Sequence, residues 1–243
     1  MGVMDNMNYR RLGQWGLQLS EIGFGSWLTL SDGDQGLADE LHRTAYDLGI
    51  NFFDTANVYG RGRTEPQVGK ALRQFQRDTF VLATKVYFPV YPDWPFPGVN
   101  DRGLSRKHIF EQCHASLRRL EVDYIDLYQC HRFDENTPVV ETCRAMNDLI
   151  EEGKVLYWGV SEWTADQISD AVAVCEEHSW HPPVSNQPRY NMVQREWEDD
   201  VLPICQRLGL GIVSFSPLAE GLLTGKYLDG VPPDSRAACR HPG

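Results

Sequence analysis

Short apolar runs alternate along the chain with longer amphipathic stretches. Seven such runs occur, at residues 22–25, 51–54, 80–85, 124–131, 155–161, 184–187 and 211–216. Near-continuous apolar runs of this kind are typical of parallel strands that are buried on both faces. Strands that alternate with helices form βαβ units, so the pattern predicts an α/β fold with a parallel sheet and favours a barrel over an open sheet.

The stretches between these runs are predicted to be helices with recognisable ends. Three helices are expected to begin after the N-cap residues Ser105, Thr137 and Thr164. Pro138 would then occupy the first helical position of its helix, and Gln167 would complete a capping box with Thr164. Glycine at a helix C-terminus favours the left-handed turn that ends it, which predicts helix ends at Gly49, Gly153 and Gly209.

Two segments fall outside this alternation. Glycines between short runs in residues 9–21 predict a β-hairpin before the first barrel strand. Residues 87–103 form a long irregular segment with prolines at 89, 92, 95 and 97. A loop of that length is usually functional or disordered. Its aromatic residues Tyr87, Trp94 and Phe96 are candidates for the wall of a substrate site, with surface packing as the alternative.

Composition and charge narrow the class of protein. With 42% hydrophobic and 11% aromatic residues, the chain is not disordered as a whole. No stretch of about 20 residues is free of charge, so no membrane insertion is expected, and no signal peptide is visible. A net charge of −11 disfavours nucleic acid as a partner. Six cysteines without a C-x-x-C pair predict no metal site and free thiols in a cytoplasmic protein.

Four titratable residues lie at or just after the ends of consecutive predicted strands. They are Asp54, Tyr59, Lys85 and His131. Barrel enzymes carry their chemistry at the carboxyl ends of the strands, so these side chains are expected to converge. A lysine beside a tyrosine lowers the pKa of the phenol, and a histidine can hydrogen-bond a carbonyl oxygen. This set suits carbonyl reduction, although each residue alone could instead cap a helix, pack on the rim, carry a solvated charge or lie in the core.

Longer motifs carry a family resemblance. They are GFGSW, FFDTANVYG, VLATKV, QCHRFD, YWGVSEW, NQPRYN and SFSPLAEGLLTGKY. The chain resembles the aldo-keto reductase superfamily from about Tyr9 to Arg236, in particular its potassium-channel β-subunit-like branch. The resemblance implies a (β/α)8 TIM barrel with an N-terminal β-hairpin, as a single domain over residues 1–243. It also implies that the last βα unit, with the segment that grips the adenosine 2′-phosphate, is missing from this chain.

The resemblance further implies a reaction and its residues. The reaction would be reduction of aldehydes or ketones with NADPH, with Tyr59 as general acid assisted by Asp54, Lys85 and His131. The substrate would contact Trp27, Tyr59, Tyr87 and His131. Glu162 stands where many family members have asparagine. The cofactor, NADPH or NADP+, would be bound by Ser26, Trp27, Asp54, Ser161, Glu162, Gln187, Phe215, Ser216, Pro217, Leu218, Gly221, Lys226, Ser235 and Arg236.

Three functional readings stay open from the sequence. The first is a reductase with a small-molecule carbonyl substrate. The second is a redox-sensing regulatory β-subunit of a potassium channel, and the third is an inactive truncated barrel. His131 favours the first, because the animal channel subunits that this chain resembles carry asparagine there. A homo-oligomer is compatible with the resemblance, since relatives form both monomers and larger rings.

Overall fold

A two-stranded hairpin precedes a parallel sheet. The structure is a computed structural model that describes residues 7–28, 30, 34–91 and 98–240. Strands β1 (Tyr9–Arg11) and β2 (Gln18–Ser20) pair antiparallel, with Tyr9 opposite Ser20. The parallel strands are β3 (Phe24–Gly25), β4 (Phe52–Asp54), β5 (Val81–Val86), β6 (Ile125–Cys130), β7 (Val155–Val160), β8 (Ser185–Asn186) and β9 (Gly211–Ile212).

Helices follow most of the parallel strands. The longer ones cover the outside of the sheet, as expected for βαβ units. Their bounds are α1 (Gln35–Asp47), α2 (Thr64–Leu72), α3 (Arg106–Leu120), α4 (Val139–Glu151), α5 (Ala165–His178), α6 (Val201–Leu208) and α7 (Arg236–Arg240). Short 3-10 turns cover Tyr59–Gly62, Arg77–Thr79, Glu196–Glu198 and Ala219–Thr224.

The seven parallel strands lie in chain order from β3 to β9 and curl into a half-barrel, which is consistent with an incomplete (β/α)8 barrel. Within the described residues β3 and β9 are the edge strands. The register places Lys85 of β5 opposite Gln129 of β6, and Gln129 opposite Gly159 of β7. Because side chains alternate between the two faces of a strand, one inward-facing layer of the barrel contains Lys85 and Gln129.

The core has an inner and an outer part. The inner cluster joins Leu12 and Leu19 of the hairpin region to Phe52, Val81 and Leu127 of the strands, so the hairpin covers the barrel interior. Larger clusters between the sheet and the helices hold the fully buried Trp158 and Trp163, among others. The hairpin and the incomplete barrel predicted from the sequence are therefore confirmed.

Most predicted helix ends are confirmed, and one is wrong. The Ser105 side chain accepts from His108 N, and Thr164 forms the capping box with Gln167. Thr137, however, is not an N-cap. The helix starts at Val139 with Pro138 in the cap position, and the Thr137 hydroxyl donates to Asp134 Oδ2 at 2.7 Å.

Helix α2 was not predicted from the sequence. Its buried face includes polar residues, so the apolar stripe that identifies a helix is broken. The buried Glu65 carboxylate accepts from the Thr84 hydroxyl and pairs with Arg119, which satisfies its charge inside the protein. The irregular segment at residues 87–103 lacks regular structure where it is described, and Trp94 and Phe96 lie outside the described residues.

Candidate active site

A buried lysine links an aspartate to a tyrosine. Asp54 is the last residue of β4, and Lys85 lies in the adjacent β5 with no exposed side-chain surface. Lys85 Nζ is 2.5 Å from Asp54 Oδ2, 2.8 Å from the Thr55 carbonyl oxygen and 3.2 Å from Tyr59 Oη. An ammonium group has three donors and no acceptor, so these three partners use all of its hydrogens.

This arrangement determines the direction of the Tyr59 hydrogen bond. Since Lys85 can only donate, Tyr59 Oη accepts from it and its own proton is free for another acceptor. Burial acts to lower the pKa of Lys85, but the Asp54 carboxylate and the Tyr59 hydroxyl outweigh it, and the net shift is upward. Lys85 therefore stays charged at neutral pH.

The pKa of Tyr59 differs from the sequence expectation. Burial raises it above its usual value of 10, and the opposing effect of the Lys85 ammonium is smaller. Lys85 lowers the pKa of Tyr59, as expected from the sequence, but burial has the larger effect and the net shift is upward. The physical reason is that the phenolate would lose its hydration in this pocket. That loss destabilises the phenolate by more than the neighbouring ammonium group stabilises it. Tyr59 is protonated at neutral pH and keeps a proton to give.

His131 follows β6 directly and faces the same space. Its ring meets the Tyr59 ring edge-on at 5.9 Å and the Phe88 ring edge-on at 5.2 Å, measured between centroids. Burial, with the charges of Lys85 and Arg132, holds the pKa of His131 well below 6.5. The imidazole is thus neutral at pH 7 and can offer one N–H as a hydrogen-bond donor.

A cavity of about 1340 Å3 runs from the hairpin, at Arg11, Leu12 and Leu19, along the open side between the edge strands β3 and β9 to the carboxyl ends of the strands. Ten of the residues singled out from the sequence line it: Trp27, Asp54, Tyr59, His131, Ser161, Gln187, Phe215, Ser216, Pro217 and Arg236. Lys85 lies behind this surface and reaches it through Asp54 and Tyr59.

The cavity also has an aromatic wall, part of which the sequence did not reveal. Trp27 stacks on Tyr59 with centroids 6.2 Å apart, and Arg236 lies over the Trp27 ring at 5.2 Å. Phe88 lines the cavity beside His131, with Val58 and Arg132 nearby. Phe88 adjoins the predicted Tyr87, so an aromatic pair after β5 was the available signal.

Tyr87 itself lies elsewhere. It lines a smaller cavity of about 390 Å3 with Arg132, Phe133, Glu135 and Glu162, and it is not among the residues that line the large cavity. Glu162 has a left-handed backbone, with φ of 59°, and its Oε1 accepts from Arg189 N at 2.6 Å. The structure therefore brings neither residue to the large cavity.

The loop after β9 forms a concave turn. Ser216, Ala219, Glu220 and Gly221 have φ of 53°, 46°, 58° and 99°. The φ of 99° at Gly221 is a conformation that favours glycine, and a Cβ there would also displace the end of the Lys226 side chain, whose Cε would lie 2.4 Å away. Within this loop the N–H groups of Ala219 and Gly221 already donate to the carbonyl oxygens of Ser216 and Leu218. Lys226 places a positive charge beside Gly221, and such a charge suits a pyrophosphate group. Neither Gly221 nor Lys226 lines the large cavity.

The remaining predicted residues support this loop or the strand ends. Glu220 accepts from Arg189 at 3.1 Å and lies 3.6 Å from Arg236 Nε, which joins the loop to β8 and α7. Ser26 is buried, and its hydroxyl donates to the Asp54 carbonyl oxygen at 3.0 Å. Leu218 is half exposed, and Ser235 is buried below α7. Ser26, Leu218 and Ser235 do not line the large cavity.

Among the helices of residues 7–28, 34–91 and 98–240, none is both long and apolar enough to cross a bilayer. In the same part of the chain, no three histidine, cysteine, aspartate or glutamate side chains gather in a way that could hold a metal ion.

A parallel βα barrel with a buried aspartate–lysine–tyrosine chain at its carboxyl end defines a class of barrel oxidoreductases. Comparison with known proteins makes the family explicit: the aldo/keto reductase family model matches residues 21–241, and this chain belongs to that family. The family consists of oxidoreductases that generally use NAD(P)H.

Curated relatives place the chain within the family. A probable voltage-gated potassium channel subunit beta from Arabidopsis thaliana is 44% identical over 237 residues, which cover 96% of this chain and 70% of that protein. A protein of the same name from Oryza sativa subsp. japonica matches at the same identity and coverage. The resemblance to the channel β-subunit-like branch is therefore confirmed.

Proposed function

We propose that this protein reduces aldehydes or ketones to alcohols with NADPH. The observation that carries the proposal is the hydrogen-bond chain from Asp54 through Lys85 to Tyr59, which ends in the large cavity beside His131. Family membership supports an oxidoreductase, and the donor chain supports protonation of a substrate oxygen. A neutral histidine and a protonated tyrosine at one cavity wall suit an uncharged carbonyl group.

The cofactor would lie across the strand ends. Ser161 and Gln187 would hydrogen-bond the nicotinamide amide, Phe215 would stack on its ring, and the loop from Ser216 to Lys226 would hold the pyrophosphate. Lys226 supports the last assignment because its ammonium group, next to Gly221 in this loop, would neutralise part of the pyrophosphate charge. When bound, NADPH supplies a hydride for the carbonyl carbon.

The proton would come from Tyr59. The carbonyl oxygen would accept hydrogen bonds from Tyr59 Oη and from the neutral His131 ring, which would hold and polarise it. As charge develops on the oxygen, Tyr59 would transfer its proton to it. Lys85, already bonded to Tyr59 Oη, would stabilise the phenolate that remains, and Asp54 would keep Lys85 in place.

The test is NADPH oxidation with 4-nitrobenzaldehyde, followed by absorbance. Tyr59→Phe keeps the ring and removes the donor, so we expect kcat to fall by at least about 100-fold. Tyr46→Phe is the matched control, because the Tyr46 hydroxyl bonds Thr79 on the opposite side of the barrel wall and takes no part in the site. Equal rates for Tyr59→Phe and wild type would refute the assigned role of Tyr59.

A second candidate is a redox-sensing β-subunit of a potassium channel, which the names of the plant relatives favour. Such a subunit would bind NADPH and turn it over slowly while it associates with a channel. Tight NADPH binding with turnover no faster than that of Tyr59→Phe would favour it over the reductase.

The setting of the reaction is also a proposal. The five described cysteines are all buried and free, as thiols are in a reducing compartment, so we place the protein in the cytoplasm. The partner would be a small-molecule carbonyl compound. The protein could also act as a homo-oligomer, and light scattering of the purified protein decides this.

A further inference from the structure

A second set of donors holds the far side of the Asp54 carboxylate. Gln129 Nε2 is 3.2 Å from Asp54 Oδ1, and Gln187 Nε2 is 3.3 Å from the same oxygen. The other oxygen, Oδ2, accepts from Lys85. Both carboxylate oxygens are therefore fixed, one by two amides and the other by the ammonium group.

Gln129 is built into the barrel interior and is not part of the cavity surface. It lies on β6 opposite Lys85 and two residues before His131, so all three face inward. Its side chain is fully buried, and it does not line the large cavity. Gln129 is the first residue of the motif QCHRFD, but the sequence assigned it no role.

One atom of the Gln129 amide is unfavourable for the free energy of folding. Its Oε1 is buried without a hydrogen-bond partner within the described residues. A buried unpartnered oxygen disfavours folding, so an apolar side chain would serve the core better. What the amide adds is its two N–H donors, which a carboxylate oxygen can accept and a leucine cannot supply.

We infer that Gln129 is a positioning residue for the proposed reaction. Its amide turns Asp54 so that Oδ2 faces Lys85, and Lys85 in turn orients the hydrogen bond at Tyr59 Oη. This inference rests on the proposed function and assigns the residue that holds the buried end of the donor chain.

The titratable groups around Asp54 should keep their charge between pH 6 and pH 9, so a pH dependence that a substitution introduces can be recognised. The titratable groups near Asp54 are Lys85 on β5, Tyr59 and Arg132 in the loops, and His131 after β6. Strands β7 and β8 contribute the uncharged Gly159 and Ser185. The pKa values of Lys85 and Tyr59 are raised and that of His131 is well below 6.5. We expect wild-type kcat to be flat from pH 6 to pH 9.

Two substitutions separate positioning from packing. Gln129→Leu removes the donor, and kcat should fall about tenfold at every pH while KM for the aldehyde stays within twofold. Gln129→Glu restores a donor only while the new carboxyl is protonated. A carboxyl beside a carboxylate keeps its proton to a raised pH. This variant should therefore resemble wild type at pH 6 and approach Gln129→Leu at pH 9.

Ser185→Ala is the matched control. Ser185 is buried in the same inward layer, and its hydroxyl has no hydrogen-bond partner within the described part of the chain. Its kcat should equal that of wild type at every pH. A packing role for Gln129 predicts the same kcat for Gln129→Leu and Gln129→Glu at pH 6, where the carboxyl is protonated, and that result, or wild-type kcat in both variants, would overturn the inference.

Urea unfolding gives a readout that needs no turnover. The unfolding midpoint of Gln129→Glu should fall, relative to wild type, as the pH rises from 6 to 9, because the ionised carboxyl then repels Asp54. Adding Asp54→Asn should make that decrease smaller, because burial still disfavours the ionised carboxyl but its repulsion by Asp54 is gone. If wild type reduces no aldehyde, the proposed function fails, and this cycle alone decides whether Gln129 holds Asp54. If the difference in unfolding midpoint between Gln129→Glu and wild type did not change with pH, the inference that Gln129 holds Asp54 would be rejected.

Discussion

Lys85 is a cation with no exposed side-chain surface and three hydrogen-bond acceptors around it. The charge is tolerated because Asp54 neutralises it at 2.5 Å and because every donor is used. The same contacts place a fixed positive charge 4.9 Å from the Tyr59 ring centroid. The stability of the barrel interior and the proposed chemistry thus depend on one side chain.

Lys85→Met tests this dependence. It leaves the Asp54 carboxylate without its cation, and breaking a buried pair in this way costs about 3–5 kcal/mol of the free energy of unfolding. The rate of aldehyde reduction should fall by at least about 100-fold, because the phenolate of Tyr59 would lose its stabilising charge. Urea denaturation and NADPH oxidation measure the two effects.

The double variant Lys85→Met/Asp54→Asn separates them. Removing both charges should restore most of the unfolding free energy, since no uncompensated charge stays buried, and it should leave the rate low. Recovery of activity together with stability would show that the charge of Lys85 is not what the reaction needs.

At the scale of elements, the hairpin is held to the barrel by close backbone contact. Gln14 N donates to the Gly209 carbonyl oxygen at 3.0 Å, at the turn between α6 and β9. Gly13 has φ of 62°, and a Cβ there would lie 2.2 Å from the same oxygen. A side chain would have to push the hairpin away, which would uncover Leu12 and Leu19 and the inner core beneath them.

Gly13→Ala should therefore lower the free energy of unfolding by about 3 kcal/mol, from backbone strain and lost packing. Gly16 lies in the same hairpin, and a Cβ there meets nothing within 4 Å. Gly16→Ala is thus the matched control and should change stability by less than about 0.5 kcal/mol. Equal effects of the two substitutions in urea unfolding would contradict the proposed role of the Gly13–Gly209 contact in holding the hairpin to the barrel.

The end of β5 explains why Phe88, and not Tyr87, lines the large cavity. Inward-facing positions alternate along β5 through Lys85, and the same alternation would turn Tyr87 inward. The strand ends at Val86, so the alternation stops there, and Phe88 is the residue that reaches His131. Where the backbone leaves the sheet, side-chain direction no longer follows from counting.

At the scale of the molecule, buried histidines couple stability to acidity. Burial lowers the pKa of His42, His108 and His131 below 6.5. The unfolded chain takes up protons at these residues near pH 6.5, whereas the folded protein takes them up only at lower pH. Their contribution to stability is present above pH 6.5 and is lost as the pH falls through and below it.

Between pH 7.5 and pH 5.5 the free energy of unfolding should therefore decrease, by at most about 4 kcal/mol for three histidines. Urea midpoints at the two pH values measure the decrease. His42 stacks on Phe53 at 5.4 Å, far from the proposed chemistry, so His42→Leu should make the decrease smaller by about one third. An unchanged midpoint in wild type would contradict this account.

Much of the candidate site could be predicted because it follows strand ends. Asp54, Lys85 and His131 end or follow apolar runs that are recognisable in the sequence. The structure brings Asp54 and His131 to one cavity with Tyr59, and it places Lys85 directly behind that cavity. Gln129 and Phe88 could not be predicted in this way. The first depends on which neighbour its amide reaches across the barrel, and the second on where the backbone leaves β5.

By itself the sequence determined the alternation of strands and helices, the hairpin, most helix caps and the four titratable residues, because these depend on residue type and local spacing. Only the tertiary structure decided the direction of the pKa shift at Tyr59, the second pair of donors on Asp54, and the turning of Tyr87 and Glu162 away from the large cavity. Those properties depend on burial and on contacts between residues far apart in the chain, which no local pattern contains.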